Sequence, residues 1–221
     1  MEFAVPLTSR QIDAAGRLYR HLNQWKMSDA ALKLLAERCP GVSEEECLLK
    51  VAAINALYAT KLYAQVRMAE HVSKTLRETN LNRQATELVE RLASLPPAAD
   101  QKKSRRFVSF ASKFSHFFIN ADRYPILDRY AVEMVSYHLG KANCVKNETA
   151  PYLAFIENIR RLRELAGFTC SIAELDRYLW LAGVYRRWDP HDDDTINTAA
   201  RDLFQDKSPN VVADLHALHR R

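Results

Sequence analysis

The chain has 221 residues, of which 48% are apolar and 27% charged, and this composition is ordinary for a soluble globular protein. A chain of this length buries enough surface on folding to be stable without a metal or a disulfide. The formal net charge of +5 weakly favours a polyanionic partner. No apolar run approaches the roughly 20 residues that span a bilayer, which argues against a membrane protein.

The cysteines argue against a metal site. Cys39, Cys47, Cys144 and Cys170 are scattered and form no CxxC pair, unlike the ligands of zinc sites and iron–sulfur clusters. With no recognisable secretory signal, four free thiols predict a reducing cytoplasmic location.

The pattern along the chain predicts an all-α fold. The chain contains only five glycines, and its long stretches of Ala, Leu, Arg and Glu favour helix. Capping boxes, Ser43 with Glu46 and Ser171 with Glu174, mark two helix starts, and Ser28 is a third candidate cap. Helices are predicted over residues 9–25, 30–37, 44–59, 64–76, 84–93 and 150–165, and from residue 172.

Residues 109–134 form the most informative segment. Lys113 is predicted near the start of a helix, where the helix dipole disfavours an ammonium and favours the nucleophilic neutral amine. Tyr124 and Pro125 form a turn, and Asp128 then caps a second helix. The segment therefore offers a nucleophile and an anionic partner on the facing ends of two consecutive helices, although a solvated lysine and a simple cap give the same pattern.

Two polar stretches leave alternatives open. Residues 98–106 are predicted to form a polar connector that either contacts backbone phosphates or is a solvated loop; its cations are Lys102, Lys103, Arg105 and Arg106. His191 and the three aspartates after it could suggest a metal, but consecutive residues rarely converge on one ion. We therefore expect a capping, solvated loop there and no metal.

Three segments resemble one enzyme family. SHFFIN (115–120) followed by ILDR (126–129) is similar to KEASHFLRN and ILDRH of the archaeal-type 8-oxoguanine DNA glycosylases, which belong to the helix-hairpin-helix superfamily. IAELDRYLW (172–180) resembles the ELDLYLW segment of those enzymes. LLKVAAINALYAT (48–60) resembles their early core helix. The segments occur in the same order as in the family and cover much of residues 45–185.

The resemblance implies a two-lobed helix-hairpin-helix glycosylase fold with a cleft between the lobes. One lobe would cover about residues 42–120, and the other about residues 1–41 and 121–221. The implied activity is that of a DNA glycosylase and AP lyase acting on an oxidised purine, with 8-oxoguanine expected. Lys113 would attack C1′ of a flipped nucleotide, and Asp128 would assist departure of the base. The expected partner is duplex DNA containing a damaged base, bound by a monomer at the nucleoid without a cofactor.

Further site residues follow from the same resemblance. His116, one turn after Lys113, would orient the site or contact a phosphate, unless it is a structural histidine. Trp180, Phe168 and Tyr178 would wall the base pocket, since bases stack on aromatic rings; core packing is the alternative. Asn55 would point into the cleft.

The sequence also departs from the family. Residues 106–112 contain no glycine, whereas the superfamily hairpin is glycine-rich, and a glycine-free turn does not easily bring backbone N–H groups against a phosphate. The interval of 15 residues from Lys113 to Asp128 is about three shorter than in the family, Tyr130 replaces a histidine, and about 35 residues follow the tryptophan segment. Two rival functions therefore remain: a catalytically inactive DNA-binding relative, and a helical protein-interaction module on the same scaffold.

Overall fold

The computed structural model describes residues 2–80, 85–97, 105–189 and 196–218. Eleven α-helices dominate these ranges, and the prediction of an all-α protein is confirmed. The helices are α1 Ser9–Tyr19, α2 Asn23–Arg38, α3 Glu44–Tyr58, α4 Gln65–Glu78, α5 Ala85–Ala93, α6 Val108–Phe118, α7 Arg129–Leu139, α8 Pro151–Ala166, α9 Ile172–Arg187, α10 Thr198–Gln205 and α11 Pro209–Leu218. Within the described ranges no helix is both long and apolar enough to cross a bilayer.

Local capping signals place several helix ends correctly. Ser43 caps α3 and Ser171 caps α9, and both capping boxes are complete in the structure. Asp128 caps α7, as predicted. Gly167, at φ 68°, follows α8 in the left-handed region, where glycine commonly ends a helix.

The predicted boundary between the first two helices is wrong. α1 ends at Tyr19 instead of Trp25, and α2 begins at Asn23, so Ser28 lies inside α2 and does not mark a helix start. The chain breaks where Leu22, which is 1% exposed, is buried in the core. Because no glycine or proline marks this break, the local pattern contains no signal to stop the helix.

The prediction of a polar connector over residues 98–106 needs correction at its end. β1 (Ser94–Leu95) and β2 (Arg105–Arg106) form an antiparallel pair, in which Ser94 lies opposite Arg106. Strands of two residues are too short to show the alternation that reveals a strand in a sequence. Residues 98–104 lie outside the described ranges.

The chain forms two compact units. Unit 1 consists of residues 1–27, 128–145 and 157–221. In unit 1, α1 packs against α9 and α11, and α7 packs against α9. The helices α7 and α9 approach closely because Gly183 has no side chain: a Cβ there would lie 2.8 Å from the Cβ of Tyr130 and 2.9 Å from its carbonyl oxygen.

Unit 2 consists of residues 28–127 and 146–156. Its helices pack as the pairs α3 with α4, α5 with α6, and α3 with α6. Glu90 links three elements of this unit. One of its carboxylate oxygens accepts a hydrogen bond from the N–H of Tyr152, at the start of α8, at 2.7 Å, and the other pairs with Arg106 on β2. Unit 2 therefore holds α6, and with it Lys113, on a framework of packed helices.

Candidate functional site

Lys113 lies on α6 in unit 2 and is only 6% exposed. Its Nζ donates a hydrogen bond to Oγ of Ser109, one helical turn earlier, at 2.7 Å. The same nitrogen lies 5.9 Å from the ring centroid of Tyr58, within the distance at which the face of an aromatic ring attracts a cation. The amine of a buried lysine is thus held between a hydroxyl group and an aromatic ring.

The position of Lys113 within its helix differs from the prediction. α6 begins at Val108, which places Lys113 in the second turn and not at the helix start. The effect of the helix dipole falls off within the first turn, so the dipole does not favour a neutral amine at this position. The sequence pattern did not reveal that Lys113 is buried.

Two residues in the surroundings of Lys113, Tyr58 and Asp29, were not predicted from the sequence. The hydroxyl of Tyr58, the last residue of α3, donates a hydrogen bond to Oδ1 of Asp29 on α2 at 2.6 Å. The Tyr58 ring also packs on Phe117 of α6, with ring centroids 5.4 Å apart. Asp29 and Tyr58 are 29 positions apart in the chain, and nothing in the local pattern of either segment indicates that they meet.

Hydrogen bonds from side chains of α6 and α8 hold the segment that precedes Asp128. Ser112 Oγ accepts a hydrogen bond from the N–H of Leu127 at 3.0 Å. His116, which is buried, donates through Nδ1 to the carbonyl of Tyr124 at 2.9 Å. The Tyr152 hydroxyl donates to the carbonyl of Pro125 at 3.0 Å. His116 therefore has a structural role in this segment, and the phosphate contact predicted for it would need its second ring nitrogen.

Asp128 is the first residue of the second segment of unit 1 and acts as the N-cap of α7. Its carboxylate accepts a hydrogen bond from the N–H of Ala131 at 2.8 Å. A carboxylate at a helix N-terminus is stabilised by the unpaired N–H groups and by the helix dipole. The structure thus gives Asp128 a capping role, which is compatible with a second role in chemistry.

Asn55 holds the loop between α3 and α4. Its Oδ1 accepts hydrogen bonds from the N–H of Leu62 at 2.8 Å and the hydroxyl of Thr60 at 2.9 Å, and its Nδ2 donates to the carbonyl of Leu62 at 3.1 Å. The loop contains two residues with positive φ, Ala59 at 46° and Lys61 at 55°. Such conformations are strained for residues other than glycine, and the side chain of Asn55 stabilises the loop against that strain.

The three aromatic residues predicted for a base pocket have different surroundings in unit 1. Tyr178 is 0% exposed, so its ring belongs to the core. Trp180 is half-buried on α9, and its ring centroid lies 4.7 Å from that of Trp25. Phe168 is half-buried in the loop between α8 and α9. Trp180 and Phe168 therefore keep some exposed surface, whereas Tyr178 offers no exposed face for stacking.

The hydroxyl of Tyr178 belongs to a buried polar network. It donates to Nε2 of His138 at 2.7 Å and accepts from Nε2 of Gln11 at 3.3 Å. His138 donates through Nδ1 to the carbonyl of Val5 at 2.7 Å, which fixes the tautomer that accepts at Nε2. Burial lowers the pKa of His138 to about 4 and raises the pKa of Tyr178 above its usual range. Both groups are therefore neutral near physiological pH.

The cations of the predicted phosphate-binding segment are described only in part. Lys102, Lys103 and the side chain of Arg105 lie outside the described residues. Arg106 forms an ion pair with Glu90 and donates to the carbonyl of Thr149 at 2.5 Å. Its guanidinium is thus already engaged within unit 2. In the part of the chain that the structure describes, no cluster of His, Cys, Asp or Glu could hold a metal ion; His191 and the aspartates after it lie outside that part.

These features define an all-α protein with a buried lysine on α6. The model of the HI_0787_N family, described as an N-terminal domain, matches residues 11–123, just over half of the chain. The chain therefore belongs to the HI_0787_N family. The matched range includes Lys113 and Tyr58 and ends before Asp128. No curated protein and no solved structure matches the chain.

Proposed function

We propose that the protein is a DNA glycosylase with AP lyase activity, on a two-lobed helix-hairpin-helix scaffold, that removes an oxidised purine such as 8-oxoguanine. Lys113 is the nucleophile and Asp128 the carboxylate that stabilises positive charge on the sugar. The observation that carries the proposal is the buried amine of Lys113, only 6% exposed and held 2.7 Å from Ser109 Oγ. Desolvation of this kind is one of the ways in which proteins activate a lysine amine for attack on carbon.

The proposed reaction uses groups of the protein and the DNA together with water. The target nucleotide must first leave the base stack, because its C1′ is inaccessible inside the duplex. The bond from C1′ to the base breaks with its electron pair going to the base. The amine of Lys113 forms a new bond to C1′ and gives up a proton, which the departing base takes up. The remaining N–H proton moves to O4′ as the sugar ring opens to an imine. Water then accepts a C2′ proton, whose electron pair forms the C2′–C3′ double bond and expels the 3′ phosphate, which nicks the strand; hydrolysis of the imine frees the lysine. The Asp128 carboxylate stabilises the oxocarbenium character at C1′ as the base leaves.

The proposal is tested by separating base release from strand cleavage. The protein is incubated with duplexes carrying 8-oxoguanine, another oxidised purine, an abasic site or no damage, and both released base and nicked strand are measured. We expect base release and nicking with the oxidised purine, and nicking alone with the abasic site. Absence of both products on every damaged duplex would contradict the proposal.

One observation favours a second candidate, a protein-interaction module on the same scaffold. Four apolar or aromatic side chains of unit 2 are more than half exposed, and exposed apolar side chains are the groups that an interaction surface buries. They are Leu34, Leu49, Tyr63 and Val66. Duplex DNA distinguishes the two candidates, because a glycosylase binds it with an affinity that falls as salt rises, whereas an interaction module does not bind it. An inactive relative would bind DNA but release no base.

A further inference from the structure

We propose that Tyr58 and Asp29 are positioning residues for the amine of Lys113. This inference rests on the proposed function and adds a specific group of unit 2 to it. The Asp29 carboxylate fixes the Tyr58 ring, and that ring together with the Ser109 hydroxyl defines where Nζ of Lys113 lies. All four residues belong to unit 2, so their arrangement is a property of one compact body.

Two contacts fix the orientation of the Tyr58 ring. A phenol that donates to a carboxylate forms a short, charge-assisted hydrogen bond, and the Tyr58–Asp29 distance of 2.6 Å is of this kind. Packing of the Tyr58 ring on Phe117, with centroids 5.4 Å apart, restrains the ring from another side. A half-buried tyrosine at the end of a helix is thereby held in one orientation.

The Tyr58 ring also acts on the amine of Lys113. The face of an aromatic ring carries negative electrostatic potential, so the N–H groups of an amine, whether neutral or protonated, are attracted to it. Nζ of Lys113 lies 5.9 Å from that centroid and 2.7 Å from Ser109 Oγ. A long flexible lysine side chain is thus held from two directions. Attack on carbon requires such control, because a displacement of about 1 Å can cost on the order of 100-fold in rate.

Unit 2 contains a matched control for this arrangement. Lys50 is also buried, and its Nζ lies 5.7 Å from the ring centroid of Phe118. Its amine donates to the carbonyl of Gly41 at 2.6 Å. In the described part of unit 2, Lys50 is therefore a second buried lysine beside a ring, but a phenylalanine has no hydroxyl through which a carboxylate could fix it. Phe118→Leu removes a ring from beside Lys50, which is not a residue of the proposed site.

The test measures the single-turnover rate of borohydride trapping on an abasic duplex, together with the dissociation constant for that DNA and the melting temperature. We expect Tyr58→Leu to slow trapping by on the order of 100-fold. Tyr58→Phe, which keeps the ring but loses the bond to Asp29, and Asp29→Asn, which keeps a hydrogen-bond acceptor, should each slow it by on the order of 10-fold. DNA affinity should stay unchanged in the variants, and Phe118→Leu should trap at the wild-type rate.

A spectroscopic readout keeps the test independent of DNA. In protein labelled with ¹³C at lysine Cε, the signal of Lys113, assigned by its absence in Lys113→Gln, should be shifted upfield by the Tyr58 ring. That shift should vanish in Tyr58→Leu and shrink in Asp29→Asn. If the wild-type protein traps DNA and the Tyr58 and Asp29 variants trap it equally fast, this inference alone is overturned. Wild-type protein that traps no DNA would overturn the proposed function and this inference together.

Discussion

Nζ of Lys113 lies 2.7 Å from Oγ of Ser109, four positions earlier on α6. Positions i and i+4 of a helix face the same side, so this hydrogen bond follows directly from the helix geometry. It orients the amine within a part of unit 2 where Lys113 is 6% exposed. The fold therefore holds the Lys113 amine in a defined position. Substitutions can separate the chemistry proposed for the candidate site from the structural roles of its residues.

The charge of Asp128 can be separated from its role as a helix cap. Asparagine caps a helix about as well as aspartate, so Asp128→Asn should melt at the wild-type temperature. Removal of the negative charge should reduce base release by on the order of 100-fold, the usual cost of removing one preorganised electrostatic interaction. Asp128→Ala is the comparison, because it also removes the cap and should lower stability by about 1 kcal/mol. Full activity of Asp128→Asn would identify Asp128 as a cap only.

Arg106 should matter for stability and not for DNA affinity. Its pairing with Glu90 and the carbonyl of Thr149 predicts that Arg106→Ala lowers the free energy of unfolding by roughly 1 kcal/mol. The dependence of DNA affinity on salt should not change. By contrast, replacing Lys102 and Lys103 with alanine should reduce the slope of log affinity against log salt by about 0.9 for each phosphate that the protein no longer neutralises. If Arg106→Ala reduces the slope of log affinity against log salt, the prediction that Arg106 does not contribute to DNA affinity is contradicted.

His138 should make the stability of unit 1 depend on pH. Its pKa is about 4 in the folded protein and 6.5 in the absence of burial, so the unfolded chain binds the proton first as pH falls. The contribution of neutral His138 to the free energy of unfolding is fully present above about pH 6.5 and is lost progressively as the pH falls to about 4. The decrease amounts to about 3.5 kcal/mol at most, taking 1.4 kcal/mol per pKa unit.

Urea unfolding at several pH values, with His138→Gln as the comparison, measures the contribution of His138. The wild-type protein should lose more stability than the variant across this interval. Parallel pH profiles would show that the protonation of His138 is not linked to folding.

Asn55 should act on the loop between α3 and α4 and not on a bound base. Asn55→Ala leaves the N–H of the buried Leu62 without its acceptor, which should cost about 1–3 kcal/mol. Asn55→Asp keeps the acceptor and should cost less. Activity per folded molecule, measured well below the melting temperature, should equal that of wild type. A selective decrease in activity at unchanged stability would instead place Asn55 in the base pocket.

Local signals in the sequence predicted much of the helical framework. The capping boxes at Ser43 and Ser171 and the cap at Asp128 depend on neighbouring residues only, and all three are present in the structure. Ser28 carried a similar local signal but lies inside α2. Leu22, which lies at the break before α2, is buried, and burial depends on tertiary packing that the local pattern does not reveal.

The contacts of the candidate site were harder to predict because they join distant parts of the chain. Lys113 was found through its sequence segment, but its ring neighbour Tyr58 lies on another helix, and Asp29 lies on a third. The ion pair of Arg106 with Glu90 likewise depends on β1 and β2, which are too short to be recognised in the sequence. Residue type indicated candidate chemistry, whereas the partners of each side chain depend on the fold.

Borohydride trapping on damaged DNA tests the covalent role of Lys113 itself. An imine between the Lys113 amine and C1′ is reduced by borohydride to a stable secondary amine, so protein and DNA strand should migrate together on a denaturing gel. Lys113→Gln should abolish this band while preserving fold and DNA binding, since glutamine keeps a similar helix propensity. Lys74→Gln, at an exposed position of α4, should trap like wild type. Two results would contradict this mechanism. One is a wild-type protein that binds damaged duplex but gives no trapped band with any lesion, and the other is an undiminished band from Lys113→Gln.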